Sequence, residues 1–231
     1  MSSPANALLQ KLPRTDRLRL LARCEPVELL LSEHQVELGT AMNHVLFPVT
    51  GFLSQVVEVP GHAGLEVGMV GREGLVGASL ALGVSAAPVR SVVQGAGSAW
   101  RLGSVAFARE LQASEVLRRT VHRYLYVTMV QLGTASACRR FHALGPRLAR
   151  WLLMSHDRAH ADRFEVTHEF LGLMLGVRRE GVTVAAGELQ ASGTIHYHRG
   201  SMQVLDRPGL QARACSCYAA DRAVYQQQLG R

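Results

Sequence analysis

Three consecutive charged residues, Arg178, Arg179 and Glu180, open a run whose apolar positions, Val182, Ala185, Ala186 and Leu189, recur at helical spacing. At the start of an exposed helix a guanidinium presents forked N–H donors that match the N7 and O6 edge of guanine. A carboxylate can accept from the amino group of cytosine. Arg179 and Glu180 carry these two chemistries side by side. Thr167, Arg178, Thr183 and Arg199 carry donors suited to phosphate oxygens, contacts that fix register rather than read bases. His168, beside Thr167, is placed on the same surface. The plainer alternative is a solvated helix start, where the helix dipole favours glutamate with or without a partner.

These residues need a scaffold, and residues 164–206 spell one out. Thr167 precedes a helical run and can cap it through its hydroxyl. Phe170, Leu171, Met174 and Leu175 form an apolar face, and Gly176 supplies the positive φ of a tight turn between two helices. Ser192-Gly193 ends the second helix. Thr194–His198 and Ser201–Leu205 then read as two strands joined by Arg199-Gly200. Two helices about a glycine turn, followed by a hairpin, make a winged helix-turn-helix.

Charge agrees with this placement. The 231 residues carry a formal net charge of +7, and Lys11 is the single lysine among 25 basic residues. Residues 1–138 have 12 Lys+Arg against 10 Asp+Glu, whereas residues 139–231 have 13 Arg against 8. The positive excess lies in the C-terminal part, where a polyanion would be met. With 48% apolar and 19% charged residues, long disorder is excluded. No apolar run reaches the roughly 18 residues of a membrane span, no leader opens the chain, and four cysteines are no disulfide framework. A cytoplasmic protein without membrane partners is expected.

Ahead of the helical part, Arg14–Cys24 reads as a short amphipathic helix. Val27–Leu31, Val45–Phe47, Phe52–Val59, Leu65–Val70, Val89–Val93 and Ala99–Leu102 read as strands of an antiparallel sandwich or barrel. From Ser104 to Leu144 there is no proline and one glycine, so one long helix is expected. It carries a 4,3 repeat through Leu117, Val121, Tyr124, Thr128, Gln131, Ala135 and Cys138, with a second stripe at Leu125, Met129 and Leu132 beside it. Two stripes imply two burial partners, the chain's own sandwich and a second subunit. The first stripe is assigned to the dimer interface; a helix buried wholly within one chain is the alternative. Gly145-Pro146 then punctuates the chain, and Arg147–His160 follows as a helix with Leu148, Trp151, Leu152 and Ser155 inward.

The stretches LGVRREGV and RGSMQVLD, with Thr167–Glu169 before them, resemble the DNA-binding domain of the Crp/Fnr transcription regulators. LFPVTGFLS and GREGLVGASLALG resemble that family's sensing domain. The resemblance implies an α+β chain in three parts. Residues 1–112 would be a cyclic-nucleotide-binding-like effector domain with a jelly roll (a double-stranded β-helix). Residues 113–144 would be a dimerisation helix and hinge, and residues 145–231 a winged helix-turn-helix domain. It further implies a homodimer on a two-fold symmetric double-stranded operator, read by Arg179 and Glu180, and RNA polymerase as a partner if the protein activates.

Departures from the family matter for the effector. Cyclic-AMP-binding members place a glutamate where Ala78 stands here, so a bound ribose would lose its carboxylate partner. Glu73, Arg90, Ser91 and Tyr124 remain as candidate contacts for some other small molecule. Val184 stands where many members have a polar residue, and Gly181 replaces the usual Thr or Ser and loosens its helix.

No G-x-S-x-G, Walker motif or paired carboxylates point to an enzyme. No metal site or cofactor is expected. Cys24, Cys138, Cys215 and Cys217 are read as packed thiols, a redox pairing of Cys215 with Cys217 being the alternative; His156 and His160 at i, i+4 lack a third ligand. The competing function is a small-molecule or protein-interaction module whose winged helix does not read DNA.

Overall fold

The N-terminal half holds fewer and longer strands than its apolar runs suggest. In the computed structural model, which describes residues 5–62 and 64–230, helices α1 (Ala7–Gln10) and α2 (Arg14–Leu21) precede strands β1 (Glu25–Leu29) and β2 (His34–Val36). Two of the runs merge into β3 (His44–Val57) and two more into β5 (Arg90–Gly103), with β4 (Leu65–Val70) and a 3-10 turn at Ala78–Leu82 between them. A glycine taken as a strand end instead lets two strands approach closely. Gly51 has a φ of +72°, and a Cβ there would lie 2.3 Å from the Gly95 carbonyl oxygen. Only glycine fits such a position.

The strands form a sheet in the order β1-β5-β3-β4, with β2 also on β5. The β1–β5 pairing is antiparallel from Glu25 opposite Arg101 to Leu29 opposite Gly97. Leu29, Leu46, Leu53, Val70, Val76, Val93 and Ala99 form its core, and burial of each larger side chain stabilises by about 1.5–3 kcal/mol.

The expected single helix over 104–144 is two, α3 (Ser104–Ala113) and α4 (Glu115–Phe141). Ser114 separates them with extended backbone angles. Its Oγ accepts from the Leu117 amide (3.2 Å) and donates to Asp16 Oδ2 (2.5 Å), which caps α4.

Burial within the chain separates the two stripes on α4. Leu117, Val121, Tyr124, Ala135 and Cys138 are buried within the chain, and Thr128 and Gln131 are half-buried, so this stripe is not a free dimer surface. Met129 (64% exposed) and Leu132 (40%) are open, with Leu125 half-buried beside them. The 4,3 repeat marks an apolar stripe but cannot say which partner covers it.

The described residues divide into two compact units. One lies within Met1–Gln55, Met69–Met129 and Tyr225–Arg231, the other within Val56–Gly68 and Val130–Val224. The division therefore falls inside α4 rather than at residues 113 and 144. Among the described residues, no helix is long and apolar enough to cross a membrane.

The second unit contains α5 (Leu144–Ala159), β6 (Arg163–Glu165), α6 (His168–Leu175), α7 (Arg179–Ala191), β7 (Ile195–His198), β8 (Ser201–Val204), α8 (Arg207–Arg213) and the part of α9 (Cys217–Leu229) up to Val224. Pro146 does not break the chain; it sits in the first turn of α5, where no amide donor is needed. The small sheet runs β6-β8-β7. Leu148, Leu152, Leu171, Val182, Ile195, Met202 and Leu210, all at most 1% exposed, are its core.

Candidate nucleic-acid interface

Helix α6 starts where Thr167 Oγ1 accepts from the Phe170 amide (3.1 Å) and ends at Gly176, whose φ is +65°. Gly172 lets the two helices meet: a Cβ there would lie 2.9 Å from the Val177 carbonyl oxygen. Helix α7 then buries Val182, Ala185, Ala186 and Leu189 and leaves Arg179, Glu180, Thr183, Val184 and Gly187 exposed. Arg178 is its N-cap residue and caps through no side-chain bond. Arg178, Arg179 and Glu180 make no side-chain hydrogen bond or ion pair with described residues, so their polar heads stand in solvent at the positive end of the helix dipole. Val184 is 64% exposed and Gly187 has nothing within 4 Å of where a Cβ would be. The outer face behind the charges is slim, so the backbone can approach a flat partner.

The wing sits beside this surface. Arg199 and Gly200 have φ of +48° and +86°, the pair of left-handed conformations that a two-residue hairpin turn needs. The Gly200 carbonyl accepts from the Val166 amide (2.7 Å), and a Cβ on Gly200 would lie 3.8 Å from Thr167 Cγ2. Thr167 and the Arg199 turn are therefore neighbours. At the far end, the Tyr197 amide donates to Gln190 Oε1 (2.8 Å) and ties the wing to α7.

Two residues expected on the DNA-binding surface, Thr183 and His168, already have partners within the chain. Thr183 donates its hydroxyl proton to the Arg179 carbonyl (3.1 Å) and so accepts from His168 Nδ1 (3.0 Å). The His168 ring stacks on Tyr197 with centroids 4.1 Å apart, and its Nε2 is buried without a hydrogen-bond partner. Burial first, and Arg179 second, lower the His168 pKa, which disfavours the protonated ring. His168 and Thr183 thus brace α6, α7 and the wing. Gly181 has a packing reason as well, since a Cβ there would meet Leu144 Cδ2 at 3.2 Å.

Sequence reasoning missed Gly172, Tyr197 and Gln190. A glycine inside a helical pattern was a usable signal of close approach for the first; the other two show only once the helices and wing are assembled.

In the first unit, the proposed effector contacts are scattered in kind. Ser91 is buried opposite Val36 at the start of β5, next to half-buried Arg90. Glu73 Oε1 accepts from the Gly71 amide (3.1 Å), so the carboxylate folds back on its own turn. Tyr124 is buried with its hydroxyl against Gly74, where a Cβ would lie 2.3 Å from it. Ala78 opens the 3-10 turn and brings no carboxylate. The His156 and His160 pair is not left free for a metal: Arg207 bonds His156 Nδ1 (2.6 Å) and Asp157 (2.5 Å), and Asp162 pairs with His156 Nε2 (2.8 Å).

Residues 146–213 match the family model of the Crp-like helix-turn-helix domain. A comparison with curated proteins finds no match. Among solved structures, FixK2 from Bradyrhizobium japonicum is similar with a TM-score of 0.71 at 13% identity, covering 83% of this chain and 98% of that one. The c-di-GMP responsive global regulator CLP of Xanthomonas campestris aligns with a TM-score of 0.67 at 16% identity, covering 83% and 99%. A CRP-family transcriptional regulator from Thermus thermophilus aligns at 0.65 with 20% identity, covering 81% and 96%. At such identities the likeness is one of fold.

Proposed function

We propose that this protein binds double-stranded DNA as a homodimer and regulates transcription from a two-fold symmetric operator, a reading supported by the match of residues 146–213 to the Crp-like helix-turn-helix domain and by the likeness of fold to regulators of the Crp/Fnr family. The observation that carries the reading is the N-terminal turn of α7, where Arg178, Arg179 and Glu180 stand exposed and unpartnered on a helix whose opposite face is core. In this reading Arg179 pairs with guanine, Glu180 accepts from cytosine and Val184 touches a thymine methyl. Arg178, Arg199 and Thr167 hold phosphates.

The dimer contact falls to the open stripe of Leu125, Met129 and Leu132, which lacks a partner of its own among the described residues. Sedimentation of the full chain reads that stoichiometry directly. The β domain takes a small-molecule effector other than cyclic AMP, because Ala78 offers no carboxylate to a ribose. RNA polymerase is a partner where binding activates. The protein works in the cytoplasm and is not an enzyme.

The test is binding to a selected operator and to random duplex. Arg179→Ala is expected to lose about 1–3 kcal/mol on the operator while random-duplex affinity changes little. Equal losses on both would make Arg179 a phosphate contact.

A further inference from the structure

Cys138 and His142 meet Cys215 and Cys217 at one point, although 77 residues of sequence separate Cys138 from Cys215. Cys138 and His142 stand one turn apart at the end of α4, where the His142 amide still donates to the Cys138 carbonyl (3.1 Å). Cys215 and Cys217 flank Ser216 where α8 gives way to α9. The three sulfurs and the imidazole nitrogen all lie within 4.8 Å of one another. Cys138 Sγ is 3.5 Å from Cys215 Sγ, and Cys217 Sγ is 3.5 Å from His142 Nδ1. The three thiols are at most 8% exposed and form a cluster of their own, and the ring is half-buried.

A disulfide does not explain this. Its sulfurs sit about 2.05 Å apart, and a third thiol and a ring nitrogen would be left facing it. Apolar packing can account for three buried thiols, but not for an imidazole nitrogen brought to 3.5 Å from one of them and within 4.8 Å of all three. A tetrahedral ion accounts for both. With metal–sulfur bonds near 2.3 Å and a metal–nitrogen bond near 2.05 Å, the edges of the tetrahedron are about 3.8 Å between sulfurs and about 3.5 Å from sulfur to nitrogen.

We propose that Cys138, His142, Cys215 and Cys217 bind one Zn2+ as a closed Cys3His site. Three thiolates and an imidazole select a thiophilic ion, and four protein ligands leave no position for water or substrate. Binding releases three thiol protons to solvent and leaves the site with a net charge of −1. The Cys215 amide donates to the Pro146 carbonyl (3.2 Å), so the ion fastens the end of α4, the first turn of α5 and the start of α9 to one another. Its role is structural: it pins the C-terminal end of α4 to the helices that flank the winged helix-turn-helix.

The test uses the full chain, reduced, loaded with excess Zn2+ and desalted, with metal measured by mass spectrometry. About one zinc per chain is expected in the wild type and in Cys24→Ser, and under about a tenth in Cys138→Ser and Cys217→Ser. Cobalt loading of the wild type, which needs no variant to fold, is expected to give sulfur-to-metal charge-transfer absorption that one equivalent of Zn2+ abolishes. The proposal is overturned by a wild type that retains no zinc and shows no such absorption. It is equally overturned by full retention in Cys217→Ser, or by thiol counting that finds a Cys138–Cys215 disulfide in the protein that has been offered metal under reduction.

Discussion

The C-terminal domain uses its arginines in two opposite ways. On α7 and the wing, Arg178, Arg179 and Arg199 are exposed and have no ion-pair partner among the described residues. Elsewhere in the domain two arginines are matched. Arg150 of α5 meets Asp221 of α9 at 2.6 Å with both side chains largely buried. Arg207 bonds Asp157 (2.5 Å) and the Tyr218 hydroxyl (2.8 Å), which itself donates to Asp157 (2.9 Å). The residue type is the same and the sequence distance small. What separates a binding surface from a structural brace is whether the guanidinium's donors are already spent inside the chain.

By that distinction the matched side should govern stability and the open side affinity. The largest effect is expected from Asp221→Ala, which leaves Arg150 buried and unpaired. Breaking a buried pair from one side costs about 3–5 kcal/mol, and the small residual exposure of both groups favours the lower end. Denaturant unfolding measures it. DNA affinity of the fraction that stays folded should not change, because neither residue reaches the α7 face. A variant with wild-type stability and weakened DNA binding would collapse the contrast.

Much of the open side is legible in the sequence. The cap at Thr167, the glycine turn at Gly176, the buried face of α7 and the Arg199-Gly200 turn are local features, each fixed by residues within one or two turns of each other. The matched side is hidden there, because its pairs join residues 50 to 71 positions apart. The cysteines show the same limit: Cys215-x-Cys217 looks incidental until the chain brings Cys138 and His142 to it. Strand ends are misjudged for a related reason. Gly51 looks like a break in sequence and is a close crossing with β5 in space. The two stripes on α4 are both visible, but nothing in the 4,3 spacing says which of them the chain itself covers.

A middle-sized effect sharpens the open side itself, separating residues that read bases from those that hold phosphates. Arg199 lies at the hairpin tip beside Thr167, on the wing rather than on α7. Arg199→Gln should weaken operator and random duplex alike and reduce the slope of log affinity against log salt by about 0.9. An unchanged slope would remove Arg199 from the phosphate contacts. A loss restricted to the operator would move it among the base readers.

The smallest effect concerns His168, which belongs to neither class: it lies on the open side but is spent on Thr183 and Tyr197. Burial first, and Arg179 second, lower its pKa in the folded protein, so the fold disfavours the protonated ring. The unfolded value is about 6.5. The stabilisation from a neutral His168 is therefore complete above that pH and drains away as pH falls toward the lower folded value. His44, lowered by burial and by Arg101, contributes a loss of the same sign from the first unit. His168→Gln should consequently flatten, without abolishing, the fall in unfolding midpoint between about pH 7.5 and pH 5. The remaining slope should shrink further when His44→Gln is added. If His168→Gln alone leaves the slope unchanged, the ring takes up its proton alike in the folded and the unfolded chain, and the fold does not favour its neutral form.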